Sequence, residues 1–325
     1  MNNKANTAGL SKVEQLKKAS MMAAVRAALP IIGLVLIFIW FNFRTGGRMI
    51  SNLSLALSSV YSLMIASTGV FFIMTMGGLD FSQGSILGIA SIVICYVSQK
   101  APIPVAIISG IAAGAAIGAI NGFFYVNRKI KSFIVTICTM FLFRGIIKYL
   151  TSKAPVTGSA SLSLFYDTVP IKLGCMLLVV AIGFFFFRFT KFGTYLKAIG
   201  AGEKAAKYAG IRTDRMKFLI YILSGAITGF AAFVSVLHTG SVTSSGGNQL
   251  ETQILIALVL GGMPISGGAK VRFENIIVGS LLYTVLQSGL TMIGYTTQTM
   301  QLIEGVIFLA FVYIFADRQS LSVIK

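Results

Sequence analysis

Ten apolar runs follow one another along the chain, at roughly 27–43, 51–76, 84–99, 103–126, 133–151, 170–187, 218–237, 252–266, 276–293 and 300–316. A helix needs about 17–25 such residues to cross a bilayer. Backbone in hydrocarbon must satisfy its own hydrogen bonds, so the repeated runs predict an all-α, polytopic membrane bundle of about ten transmembrane helices. The third, eighth and tenth runs are short or interrupted by Gly. The first has no cleavage-type site before Arg44 and nine more runs behind it, so it is expected to be retained. Composition agrees: 56% of residues are hydrophobic and only 11% charged, against about 25% charged in a soluble domain. An ordinary soluble enzyme, a disordered chain and a collagen-like chain are excluded.

The formal charge is +18, which in a soluble protein would raise the question of nucleic acid. Here no soluble face exists to gather it. With the N-terminus inside and the runs alternating, twenty of the 27 Lys and Arg fall on the cytoplasmic side. They include Arg128, Lys129 and Lys131, a group of eight between Arg188 and Lys217, and Lys270 with Arg272. Both termini are therefore expected in the cytoplasm. The organisation predicted is a polar tail over 1–26, a transmembrane domain over 27–316 and a short tail over 317–325. The loop 188–217 is the longest cytoplasmic connection.

No catalytic engine is legible. The phosphate-cradling G-x-x-x-x-G-K-[ST] loop, H-E-x-x-H and G-x-S-x-G are all absent. The acids Glu14, Asp80, Asp167, Glu203, Asp214, Glu251, Glu274, Glu304 and Asp317 are scattered. Cys95, Cys138 and Cys175 sit far apart in apolar runs and read as small apolar residues. The lone His238 reads as interfacial, so no metal or cofactor is expected. Two ionisable groups stand inside runs, Arg144 and Glu304. They are a candidate buried pair or simply locally hydrogen-bonded groups, and do not make a proton relay.

The stretch Gly200–Ile211 reads as one short helix between glycines. Glu203 and Lys207 are spaced i,i+4 in the favourable order. Gly210 is placed for the left-handed C-terminal position. Ala205, Ala206 and Ala209 give a small-residue face suited to a partner's groove; a solvated helix is the plainer reading. Two loops share the pattern G-G-x-x-[FI]-S-x-G, at Gly77–Gly84 and Gly261–Gly268. They read either as an internal duplication or as two tight turns. Asp80, beside the first glycine pair, is placed to cap the helix that follows.

At these residues the chain resembles a known family. Gly77-Gly78-Leu79-Asp80-Phe81-Ser82-Gln83-Gly84-Ser85 resembles the G-G-[IL]-D-[LF]-S-x-G-S signature of membrane permeases of ribose-, xylose- and galactose-type ABC importers. Lys191–Gly200 is similar to that family's [RK]-x-G-x-x-x-x-A-x-G entry to a cytoplasmic coupling helix. Ala205-Ala206-Lys207-Tyr208-Ala209-Gly210-Ile211 matches its A-A-x-x-[SA]-G-I. Gly261, Gly262, Gly267 and Gly268 match its G-G-x-x-x-x-G-G loop. The resemblance runs from about residue 70 to 315. It departs after Gly268, where Glu274 stands near an expected Gly and the loop is slightly longer.

The resemblance implies a multi-pass permease of the cell (inner) membrane that hydrolyses no ATP itself. It implies partners: ATP-binding cassette ATPase subunits inside, a sugar-binding protein outside, and a second permease subunit, homo- or heterodimeric, but no nucleic acid. The segment Glu203, Ala205, Ala206, Lys207, Ala209, Gly210 and Ile211 would couple to the ATPase. Asn121, Ser224 and Gln287, polar residues in spans, are candidates for the translocation path or for interhelical hydrogen bonds. The competing readings are a gradient-driven carrier of a small polar solute, and a structural or signalling membrane protein.

Overall fold

A computed structural model describes residues 28–163, 165 and 168–315. The expected tails at 1–26 and 317–325, with Glu14 and Asp317, and also Asp167, lie outside the described residues. Helices dominate. In chain order they are α1 (Ala28–Arg44), α2 (Arg48–Ser51), α3 (Leu53–Ala56), α4 (Val60–Thr75), α5 (Gln83–Ser98), α6 (Ile103–Asn127), α7 (Ser132–Leu150), α8 (Ala160–Ser163), α9 (Val169–Phe189), α10 (Lys191–Ala201), α11 (Glu203–Tyr208), α12 (Thr213–Thr239), α13 (Leu250–Leu260), α14 (Glu274–Ile293) and α15 (Thr297–Phe315).

Among the described residues, six segments are long and apolar enough to cross a membrane: α3–α4 together, α6, α7, α9, α12 and α14. Four shorter apolar helices, α1, α5, α13 and α15, account for the other expected runs. The eighth run is the one most shortened: helix over Leu250–Leu260 in place of 252–266. The all-α expectation needs one correction. Two-residue strands β1 (Val156–Thr157) and β2 (Ser241–Val242) pair antiparallel, Val156 opposite Val242. The ladder ties the α7–α9 connection to the end of α12, and Ser159 N–H donates to Ser98 Oγ at 3.1 Å beside it.

Helix α4 is the centre of the bundle; every residue of it but Ser62 is buried. It packs on α12, α9, α14 and α13, and α12 in turn packs on α6 and α5. The α6–α12 crossing is the closest. Gly110, Gly114, Gly118 and Gly122 recur every fourth residue on α6, so they form one stripe. A Cβ at Gly114 would run into the Gly225 carbonyl oxygen, and one at Gly118 into that of Tyr221. One at Gly225 or Gly229 would strike Gly114 or Gly110 in return. Backbone thus lies on backbone, the packing that small residues permit in lipid, where burial of apolar side chains gives no net drive.

Candidate functional site

The connection between α9 and α12 is an arm of two helices, where the sequence predicted one. Thr190 caps α10 by accepting the Phe192 N–H at 3.2 Å. The Phe192 ring then lies edge-on to Phe72 of α4, with centroids 5.2 Å apart. Gly200, near the end of α10, sits where a side chain would strike Thr75 O and the backbone of Gly268. After Gly202, α11 turns once and a half and stops at Gly210. That residue has φ 84°, and Ile211 N–H reaches back to Ala206 O at 3.1 Å. This is the left-handed glycine stop expected there.

The faces of α11 differ from expectation. Ala205 and Ala209 are exposed, but Ala206 is 4% exposed and packs into the chain itself. Positions 205 and 209 share a face one turn apart, while 206 is rotated about 100° away. The exposed face instead carries Tyr208, 92% exposed. Glu203 and Lys207 do not pair with each other. Glu203 holds Lys217 of α12 at 2.5 Å, and Lys207 reaches Asp214 at 3.8 Å. Tertiary partners one helix away outcompete the local pair, because Lys217 is largely buried and gains more from a carboxylate than exposed Lys207 does. Lys217 Nζ also lies 5.0 Å over the Tyr125 ring. Tyr125 meets Tyr221 at 5.5 Å, and Tyr221 OH donates to Leu79 O at 3.4 Å. A continuous line of contacts therefore joins the arm to the Gly77–Ser82 loop.

The two glycine loops lie against each other. Gly77 (φ 79°) and Gly262 (φ 88°) each end a helix with the same pair of hydrogen bonds: Gly78 N–H to Ile73 O with Gly77 N–H to Met74 O, and Met263 N–H to Leu258 O with Gly262 N–H to Val259 O. The structural match thus aligns Gly77 with Gly262, one residue off the register of the shared pattern. Gly261 still lies on a right-handed backbone, against Asn275 O. Gly267 (φ 67°) and Gly268 (φ 98°) close the second loop, and Gly268 N–H donates to Thr75 O at 3.1 Å. Gly78 faces Ile73 and the Tyr221 hydroxyl.

Asp80 is the hub of a buried polar network. Its Oδ1 accepts Ser82 N–H at 2.8 Å and Ser82 Oγ–H at 2.6 Å, and its Oδ2 accepts Gln83 Nε2–H at 2.7 Å. Asn121 Nδ2 donates to Ser82 Oγ at 2.8 Å, Gln83 Nε2 to Ser224 Oγ at 3.2 Å, and Thr228 Oγ1 to Gln83 Oε1. The expected helix cap does not form: the carboxylate accepts the N–H of Ser82, the residue before α5, in a turn two residues long, and none of the first-turn N–H groups of the helix. Asp80→Leu would strip three buried donors of their acceptor, each worth about 1–3 kcal/mol. The expected result is a loss of monodisperse protein on size exclusion in detergent. Asp80→Asn keeps the Oδ1 contacts, and a flip of the Gln83 amide is met by the Ser224 and Thr228 hydroxyls exchanging donor and acceptor roles, so its yield should be near that of the unmodified protein.

Asn121 and Ser224 are thus brought together with Ser82, while Gln287 is not in the network. Asn121 and Ser224 are fully buried and sealed by packing. Gln287 lies on α14, and its carbonyl accepts Thr291 Oγ1–H at 2.9 Å. The candidate Arg144–Glu304 pair does not form. Arg144 pairs with Glu251 at 3.2 Å, and Glu304 accepts the Tyr283 hydroxyl at 3.2 Å. Glu251 is 107 residues from Arg144, so sequence spacing gave no signal for the partner. Gly84 lies directly under that carboxylate.

Comparison with known proteins gives the chain a context. The family described as branched-chain amino acid transport system / permease component matches residues 52–312. The ribose import permease protein RbsC of Escherichia coli (strain K12) is 28% identical over 296 residues, covering 88% of this chain and 92% of the relative. Its namesake in Bacillus subtilis (strain 168) is 30% identical over 260 residues, covering 78% and 80%. The xylose transport system permease protein XylH of Haemophilus influenzae is 25% identical, covering 87% of this chain and 94% of the relative. No solved structure matches. The family match takes in the α3–α15 bundle almost entirely, with both glycine loops, the Asp80 network and the two-helix arm. The chain belongs to the branched-chain amino acid transport system / permease component family and is a membrane-embedded permease component.

Proposed function

We propose that the chain forms the translocation path of an ATP-driven importer for a monosaccharide. The observation that carries this is the set of relatives matched over most of their length, named for ribose, xylose, fructose and galactofuranose. On this reading an extracytoplasmic binding protein delivers the sugar and two permease subunits enclose the path. ATPase subunits dock on the arm within the 188–217 loop. The exposed Ala205, Tyr208, Ala209 and Gly210 supply the docking face, and Glu203, Lys207, Ala206 and Ile211 fix its position. The glycines at 77, 78, 261, 262, 267 and 268 hold the bundle closed behind the arm, and Gly84 lets the chain at Gly247 lie against α5. The transmembrane domain is 27–316, the chain crosses ten times with α13 making only part of one crossing, and both termini are cytoplasmic.

The importer reconstituted with its ATPase and binding protein tests the reading. Uptake of at least one of labelled D-ribose, D-xylose, D-fructose and galactofuranose should require ATP and survive an uncoupler. Uptake that collapses with the uncoupler and ignores ATP would instead mark a gradient-driven carrier. Orientation has its own test in a cysteine-free background. Ala160→Cys should react with an impermeant maleimide added outside intact cells, and Ala205→Cys only after lysis. The reverse pattern would sink the orientation and the docking assignment together.

A further inference from the structure

Helix α13 is too short to span. Its eleven residues cover about 16 Å, half of the roughly 30 Å hydrocarbon layer. Its C-terminal end is fixed on the cytoplasmic side of the proposed orientation, where Gly267 and Gly268 meet Thr75 and Gly77. Its first residue, Leu250, therefore lies at mid-depth. Helix α5 begins beside it. Gly84 is about 21 Å along α5 from Ser98, and Ser98 is the end tied to the β1–β2 side. The segment Thr243–Gln249 must descend from β2 to Leu250 without forming a helix. It does so through turns, with Gly247 at φ 71° and Gln249 at φ 65°. Its backbone rests on α5, where side chains at Gly84 and Gly88 would strike the carbonyls of Gly247 and Gly246. Non-helical backbone at membrane depth persists where protein buries it or where it lines a watery cavity. Thr243, Ser244, Ser245 and Asn248 are exposed and polar, as the lining of such a cavity would be.

At its foot stands Arg144. One terminal nitrogen donates to Asn248 Oδ1; the other lies 3.2 Å from Glu251 Oε1 and 3.5 Å from Gly247 O. The side chains of Arg144 and Glu251 are 15% and 9% exposed, and the Arg144 Nε–H is buried with no acceptor. Charged groups at this depth are expensive, and they mark solute pathways. The Asp80 network offers no such access, since its members are sealed.

We propose that Arg144, Asn248 and Glu251 form a solute subsite that recognises adjacent hydroxyl groups of a monosaccharide. The inference rests on the proposed import function and assigns it a place. A hydroxyl both donates and accepts. Glu251 accepts from one, Arg144 donates to its neighbour, and the Asn248 amide does either, so the trio matches a vicinal diol. The unused Nε–H adds a donor that a bound hydroxyl or its bridging water would meet. Thr243 and Ser245 line the approach with groups of the same chemistry.

Substituted-cysteine protection tests this in membrane vesicles, with Cys95, Cys138 and Cys175 replaced by serine. Asn248→Cys is labelled with an impermeant maleimide added outside, with and without the sugar that the unmodified importer carries. At about ten times the dissociation constant, labelling should slow about tenfold. Ala160→Cys, in the outer loop, should react at one rate throughout. Ser245→Cys, which keeps all three contact residues, should show the same protection, and reports if Asn248→Cys itself weakens binding. Uptake of a sugar with no protection at either position overturns the subsite alone. No uptake of any tested sugar by the unmodified importer overturns monosaccharide import and the subsite with it.

Discussion

Ala209→Glu is expected to abolish uptake and substrate-stimulated ATP hydrolysis while leaving the permease's yield and detergent behaviour unchanged. Ala209 is exposed, it ends α11, and Gly210 beyond it has open space around it. The chain's own packing therefore accommodates a longer side chain there. A docked partner would not, because a carboxylate enclosed without a counter-charge costs about 3 kcal/mol or more, over a hundredfold in affinity. Association of the purified permease with its ATPase and stimulated hydrolysis are the two readouts. Normal stimulation would show that this face docks nothing. Ala206→Glu cannot serve as a second copy of the test. Ala206 is buried within the chain, so a charge there disturbs the permease first and says nothing specific about docking.

Gly114→Leu is expected to do the opposite, leaving no folded permease to assay. Its side chain would enter the space held by the Gly225 backbone on α12. Overpacking a core costs about 1–3 kcal/mol where side chains can shift, and here the obstruction is main chain. The α6–α12 crossing would have to open along its length, since Gly118 lies equally close to the Tyr221 backbone and Gly229 to that of Gly110. The expected readout is loss of the monodisperse peak on fluorescence-detected size exclusion. Gly145→Leu is the matched control, because a Cβ there meets nothing within 4 Å. A monodisperse Gly114→Leu protein would mean that the crossing is not as close as described.

The positions of the membrane helices were legible because a continuous apolar run is a one-dimensional signal. Where one ends inside the bundle was not. Met263 and Ile265 continue the apolar run past Leu260, yet the left-handed Gly262 turns the chain away. The arm was half legible. Gly202 and Gly210 bracket α11 visibly, whereas Phe192, Leu196 and Ile199 become a helix face only once α4 is there to pack on. The polar network was partly legible: Asn121 and Ser224 stood out as polar residues in spans, but their meeting with Ser82 depends on the crossing of α5, α6 and α12. The glycine stripe at 110, 114, 118 and 122 was in plain view as a four-residue period. Its partner glycines, 225 and 229, lie more than a hundred residues on. The pairing of Arg144 with Glu304 failed for the same reason, since charge alone does not choose between Glu304 and Glu251.

At the base of the arm, Gly200 of α10, Thr75 of α4 and the Gly267–Gly268 turn touch through main-chain atoms. Main chain is common to all residues, so no replacement of a neighbour enlarges the space that Gly200 occupies. A suppressor screen started from a bulky residue at Gly200 should therefore return reversion to glycine, and not a compensating change at residue 75 or 268. Three segments far apart in the chain are tied together there by geometry that leaves no trace as correlated substitution.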